Sequence, residues 1–317
     1  MRAVTGQVCS CEFVRKTDNG RCPEENKHMP ANITERAMLV NLTISQWTAV
    51  RHDKKITREV ADSHGNQEDM GKYQKSLVAK SALEDIKRLA SSARAEHYKR
   101  TLPWRDGGDR ILSSAGYFDY TRAMSEYRNK WDSAVNTFCA NYGQYVSDAR
   151  TSLNSLFNDE DYPSDIRGKF GLTFDLVPMP TSEDFRVDLG TEETARIKGQ
   201  IEKDSRAMLD RAMTNVWERL SGVVSHMVAR LKAYQELPNG KVQNPFRDSL
   251  VSNITELLDL LPTLNLTDDV NIGQFASDIR ASLTAYSPEQ LRESEQLRAD
   301  VASKADEILS KMTAFLG

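Results

Sequence analysis

Apolar and polar positions alternate from Phe170 to Leu176. Phe170, Leu172, Phe174 and Leu176 fall on one side of an extended chain, and Gly171, Thr173 and Asp175 on the other, which is the two-residue period of a β-strand. Pro178 and Pro180 stop the ladder because neither can donate to it. The alternation resumes at Phe185, Val187 and Leu189 after the TSED turn, so residues 169–177 and 184–189 are expected to pair as a β-hairpin. Met38, Val40, Leu42 and Ile44 repeat the period within 37–47. A third strand there would turn a marginal hairpin into a small antiparallel sheet with one apolar face.

Elsewhere the period is helical. From Lys54 to Arg100 apolar residues step through Ile56, Val60, Leu77, Leu83, Ile86 and Leu89, with breaks at Gly65 and Gly71. A loop, Thr101–Ala115, follows, marked by Pro103 and the Gly107–Gly108 pair. Tyr127, Trp131, Ala134, Phe138, Tyr142, Tyr145 and Ala149 form one stripe of a helix expected over Tyr117–Phe157. A second stripe, Ile197, Ile201, Met208, Ala212, Val216, Leu220, Val223, Met227 and Leu231, follows an acidic start at Glu192 and Glu193, where the helix dipole favours negative charge. Each helix would be on the order of 60 Å long. With a hairpin between them they are expected to double back on each other.

The predicted fold is therefore mainly α with a small antiparallel sheet (α+β). It is an elongated helical hairpin over 31–237, preceded by a flexible arm at 1–30 and followed by a three-helix segment at 244–317. In that segment Ser287, Pro288 and Gln290 spell a capping box at the start of the last helix. The hydrophobic pattern begins only after Met29, which leaves open whether Met1–His28 lies upstream of the functional start.

Composition narrows the function classes. The 317 residues carry a formal net charge of −4, with 39% hydrophobic and 28% charged residues. That balance suits long wet-faced helices and argues against a general polyanion binder. No run approaches the ~18 apolar residues of a membrane span, and Met1 to Ser10 lacks the apolar core of a signal peptide. Four cysteines, three of them within Cys9–Cys22, do not make a secreted disulfide framework. A cytoplasmic location is the expectation.

Cys9, Cys11, Cys22 and His28 supply four soft ligands, enough for tetrahedral zinc but without the spacing of common zinc modules. Free thiols on a loose arm are the plainer reading. The loop TLPWRDGGDRIL exposes glycine backbone between Arg105 and Arg110 and could cradle a phosphate. It lacks the lysine and hydroxyl of a phosphate-binding loop, so a structural turn anchored by Trp104 is favoured. Between Arg51 and Arg110, lysine and arginine modestly exceed the acids, with Tyr73, Tyr98 and Trp104 interleaved. Arg51, Lys54, Lys55, Arg58, Lys99, Arg100, Arg105 and Arg110 are the candidate nucleic-acid contacts. FNDEDYPSD reads as a solvated acidic turn. His52, His64, His97 and His226 fit no catalytic arrangement, and no cofactor motif occurs.

MLVNLTISQW, HYKRTLPW with GGDRIL, SLFNDEDYPSD and DFRVDLG resemble segments of a helical protein family encoded by bacteriophages and prophages, over about Ala37 to Ala233. The resemblance implies a phage or prophage setting and carries over no catalytic residue; the amino-terminal arm departs from it. The expected function is non-enzymatic: an interaction or assembly component that associates with a protein partner or a second copy through its helices. The alternative is an accessory nucleic-acid binder using the basic 51–110 region.

Overall fold

The computed structural model describes residues 33–67, 70–187 and 189–316. The protein is mainly helical around a small antiparallel sheet, as the period of the sequence predicts. The sheet is built on β1 (Ala37–Ser45). β6 (Gly171–Pro178) pairs along one edge of β1, from Met38↔Pro178 to Ser45↔Gly171. On the other edge β5 (Arg110–Ser113) pairs with β1, and the two-residue β4 (Leu102–Pro103) completes the order β4-β5-β1-β6. The expected loop thus supplies two of the four strands.

None of the described residues of the segment 184–189, expected as a strand, lies in one. The Thr181 N–H and hydroxyl both donate to Asp184, and this capping box winds Ser182–Asp184 into a 3₁₀ turn. Local side-chain bonds of this kind compete with a ladder. β6 meanwhile finds an eight-residue register on β1, a better partner than a short return strand.

The sheet is apolar on both faces, not one. Ala37, Leu39 and Ile111 point into one core; Met38, Val40, Leu42, Leu112, Phe174 and Leu176 point the other way. α3 (Glu84–Arg100) and α4 (Tyr117–Ala140) cover the second face. There Trp131, Val135 and Phe138 pack against Ile86, Ala90, Ala93, Phe170 and Leu172. The predicted stripe on α4 is real, but its helix breaks at Asn141 before α5 (Tyr142–Leu153). The Asn141 side chain donates to the Thr137 carbonyl there.

α6 (Thr191–Ala233) covers the first face together with α7 (Ser249–Leu264) and α10 (Glu295–Leu316). Leu220, Val224 and Met227 are fully buried in this core, each worth roughly 1.5–3 kcal/mol of apolar transfer. The antiparallel partner of α6 is α10, not α4: Arg298 meets Glu236 and the Tyr234 ring, and further along Lys232 meets Asp306. A sheet with two apolar faces separates the long helices, and each takes a nearer partner.

The remaining α-elements are α1 (Ile33–Arg36), α2 (Lys54–His64), α8 (Val270–Leu283) and α9 (Pro288–Glu293). β2 (Val50–His52) and β3 (Gln74–Ser76) form a separate ribbon beside α2, and β7 (Gln235–Glu236) and β8 (Val242–Gln243) another. The capping box at Ser287 and Gln290 is present, but Ser294 interrupts the last predicted helix and divides it into α9 and α10.

Candidate anion-binding cleft

The last turns of α3 and the β4–β5 turn enclose a cleft of about 230 Å³. α3 contributes Arg94, His97 and Tyr98; the turn contributes Arg105, Asp106, Gly108 and Arg110; Leu42 of β1 lies at its wall. Arg94 and Tyr98 are one helical turn apart, so α3 presents both on one side. Gly108 takes φ +95°, and a Cβ there would come within 3.2 Å of the Asn41 side chain. Glycine therefore lets the turn close against β1, where the Asn41 amide donates to Asp109. Trp104, buried in the main core, anchors the turn from below.

Thr101, the fully buried C-cap of α3, holds the cleft together. Its hydroxyl donates to the His97 carbonyl (2.6 Å) and accepts from Arg110 Nε (2.7 Å). Its carbonyl accepts from Arg110 (3.0 Å) and from Arg219 of α6 (2.8 Å), and Arg219 also donates to the Lys99 carbonyl. Two guanidinium groups at a helix C-terminus suit the negative end of its dipole. Burial, followed by the neighbouring Arg219 charge, pushes Arg110 down to about 10, so it stays charged at neutral pH. Burial lowers Arg219 as well.

His97 is buried and shares a 2.8 Å hydrogen bond with the Tyr120 hydroxyl through Nδ1. Burial, with the Arg110 charge second, lowers it to about 4, so the ring is neutral at pH 7; burial likewise raises Tyr120. Positive charge in the cleft therefore comes from Arg94, Arg105 and Arg110 against the single carboxylate of Asp106. Arg94 and Arg105 have no side-chain hydrogen bond or ion pair among the described residues. Tyr98 is 52% exposed, with the Arg110 guanidinium 4.7 Å from its ring centroid.

The structure divides the predicted nucleic-acid residues. Arg105 and Arg110 line the cleft. Lys99 is paired with Glu256 of α7 at 2.6 Å, and Arg100 with Glu96. Arg51 lies on β2, and Lys54, Lys55 and Arg58 on α2. Arg51 reaches Asp161 at 3.3 Å and Lys55 reaches Glu59 at 3.9 Å. The acidic segment is not a solvated turn throughout: Asp161, 8% exposed, pairs at 2.8 Å with Lys75, itself 6% exposed. The zinc candidates Cys9, Cys11, Cys22 and His28 lie outside the described residues. Among the described residues no group of three or more His, Cys, Asp or Glu is placed to hold a metal, and no helix is long and apolar enough to cross a membrane.

Arg94 and Arg219 do not stand out in the sequence, and His97 is weighed there only as a catalytic residue. The four-residue spacing of Arg94 and Tyr98 just before a double-glycine turn was the available signal for Arg94. Arg219 belongs to a helix more than a hundred residues away, and nothing local marks it. Compared with protein families, with curated proteins and with solved structures, the chain matches none.

Proposed function

We propose that the protein is a non-enzymatic binder of phosphate-bearing ligands, with a single-stranded nucleic acid as the ligand its cleft suits best. The observation that carries this reading is the pair Arg94 and Arg105, which share a cleft with Arg110 and have no carboxylate partner of their own among the described residues. Guanidinium groups match phosphate oxygens in geometry and charge. The exposed Tyr98 ring beside them offers a stacking face for a base, and stacking on aromatics is how single strands are held without sequence preference. The net charge of −4 argues against polyanion binding over the surface as a whole.

Fluorescence anisotropy with labelled oligothymidine across a salt series tests this. Each phosphate contact in a single strand should contribute about −0.7 to the slope of log affinity against log salt. Tight binding with a slope of roughly −2 supports the reading, and absence of binding at low salt ends it.

A second reading, the assembly component, is favoured by the first third of α6. The helix starts at Thr191, yet its first buried side chain is Ser205. Val187 and Leu189 beside that start are 58% and 52% exposed. A second copy or a partner helix would cover them, as a phage or prophage assembly role requires. Light scattering over a concentration series addresses this: self-association that weakens in V187D/L189D supports it, and a monomer at tens of micromolar contradicts self-association.

A further inference from the structure

The cleft between α3 and the β4–β5 turn holds one donor besides its arginines. His97 lines it and shares a hydrogen bond with the Tyr120 hydroxyl through Nδ1; the ring makes no other hydrogen bond among the described residues. Tyr120 is fully buried, and its hydroxyl has no second partner among them. Were the ring proton on Nδ1, the tyrosine O–H would be a buried donor without an acceptor, an arrangement that native structures avoid. The hydroxyl therefore donates to Nδ1, and the neutral ring carries its proton on Nε2. Nε2 has no partner and is not sealed from solvent, so its N–H opens onto the cleft that the residue lines.

Charge and size narrow what that N–H would meet. Arg94 and Arg105 bring whole guanidinium groups, and Arg110, which spends Nε and one Nη on Thr101, keeps the other Nη. Three guanidinium groups against the one carboxylate of Asp106 leave the lining residues at +2. An internal phosphodiester offers a single negative charge and two free oxygens. A terminal phosphomonoester offers about −1.5 to −2 and three strong acceptor oxygens, the closer match to that charge and to the four donor groups. The cleft, at about 230 Å³, is smaller than the roughly 300–1,000 Å³ of a site for a drug-sized ligand, so it takes a phosphate and not a run of nucleotides. The Arg110 guanidinium, 4.7 Å from the Tyr98 ring centroid, covers one face of that ring and leaves the other for a single base.

We propose that the cleft reads the end of a single strand: a terminal phosphomonoester held by Arg94, Arg105, Arg110 and the N–H of His97, with the terminal base on Tyr98. This rests on the nucleic-acid reading above. The test uses the full chain and internally labelled oligothymidines of one length, bearing a 5′-phosphate, a 3′-phosphate, hydroxyls at both ends, or either phosphate capped as its methyl ester. One phosphorylated form should bind about tenfold or more tighter than the hydroxyl-ended strand, the gain expected of added charge-assisted hydrogen bonds. Its methyl ester, with one charge and one free oxygen fewer, should lose that gain. R94A/R105A should abolish the preference, and an unchanged near-ultraviolet circular dichroism spectrum would show that the variant is folded. Nitrogen-15 NMR of the histidines should find the His97 proton on Nε2 and that resonance moved by the phosphorylated strand alone.

Equal affinity for phosphorylated and hydroxyl-ended strands would overturn the end-reading site while leaving the cleft reading intact. Failure of the unsubstituted protein to bind any of the strands would remove both. Inorganic phosphate displacing the phosphorylated strand as effectively as the unlabelled strand does would make the cleft a site for a free anion and overturn the strand end. A His97 ring protonated on Nδ1, or unmoved by the phosphorylated strand, would overturn the part given to His97.

Discussion

Two basic regions that look alike in sequence behave differently in the fold. The first is the corner formed by β2, β3 and α2, which carries Arg51, Lys54, Lys55, Arg58 and Lys75. The second is the cleft with Arg94, Arg105 and Arg110. Into the first, the fold delivers carboxylates. Lys75 lies against Asp161 at 2.8 Å and Asp53 at 3.6 Å and donates to the Leu156 carbonyl, while Arg51 reaches the same Asp161. Into the second it delivers another cation, Arg219, and leaves Asp106 as the sole carboxylate lining the space. Charge density along a chain is thus a poor guide to where charge is available. What decides is whether distant segments bring the opposite sign.

The largest expected effect is on stability in the first region. Lys75→Met should cost about 3 kcal/mol, because it removes the buried partner of the Asp161 carboxylate and leaves it only the exposed Arg51 guanidinium at 3.3 Å. Urea unfolding should show the midpoint falling. The double variant K75M/D161L should recover much of the loss, since the uncompensated charge is gone. If K75M alone were neutral, the pairing would not hold that corner.

The next effect sharpens the contrast through pH. In the cleft, His97 is lowered from 6.5 to about 4. The unfolded chain takes up a proton as pH falls through about 6.5, while the native state resists until about 4. Stability is therefore complete above pH 6.5 and declines between 6.5 and 4, by roughly 3 kcal/mol at the lower end. His97→Gln, which keeps a partner for Tyr120 but does not titrate, should flatten unfolding free energy over that window. An unchanged slope would show that other groups produce it.

Arg219→Ala removes two hydrogen bonds to the carbonyls that end α3 and should cost about 1.5–3 kcal/mol in thermal or urea unfolding. The smallest effect belongs to K54A/K55A on the exposed face of α2. Its stability should stay within about 0.5 kcal/mol of the parent.

The helical stripes and the alternating strands of this fold could be read directly from residues. Phe170, Leu172, Phe174 and Leu176 do face one way, and Trp131 and Phe138 do lie in a core. Both rest on local periods of 2 and 3.6 residues. What could not be read was the partner of each element. β1 carries apolar residues on both faces, and that places α4 and α6 on opposite sides of the sheet. Leu102 and Pro103 are too short a run to announce a strand, and they become one because β5 lies beside them. The double-glycine turn and its flanking arginines were visible as a candidate. That Arg94 joins them, and that Arg219 holds the helix end beneath them, depends on contacts spanning over a hundred residues of chain.

The most direct test compares the two regions in one binding assay. Oligothymidine anisotropy at low salt should show R94A/R105A losing at least about tenfold in affinity, the loss expected when phosphate contacts are removed, while K54A/K55A binds within about twofold of the parent. Equal losses in the two variants, or a loss confined to K54A/K55A, would contradict the assignment of available charge to the cleft.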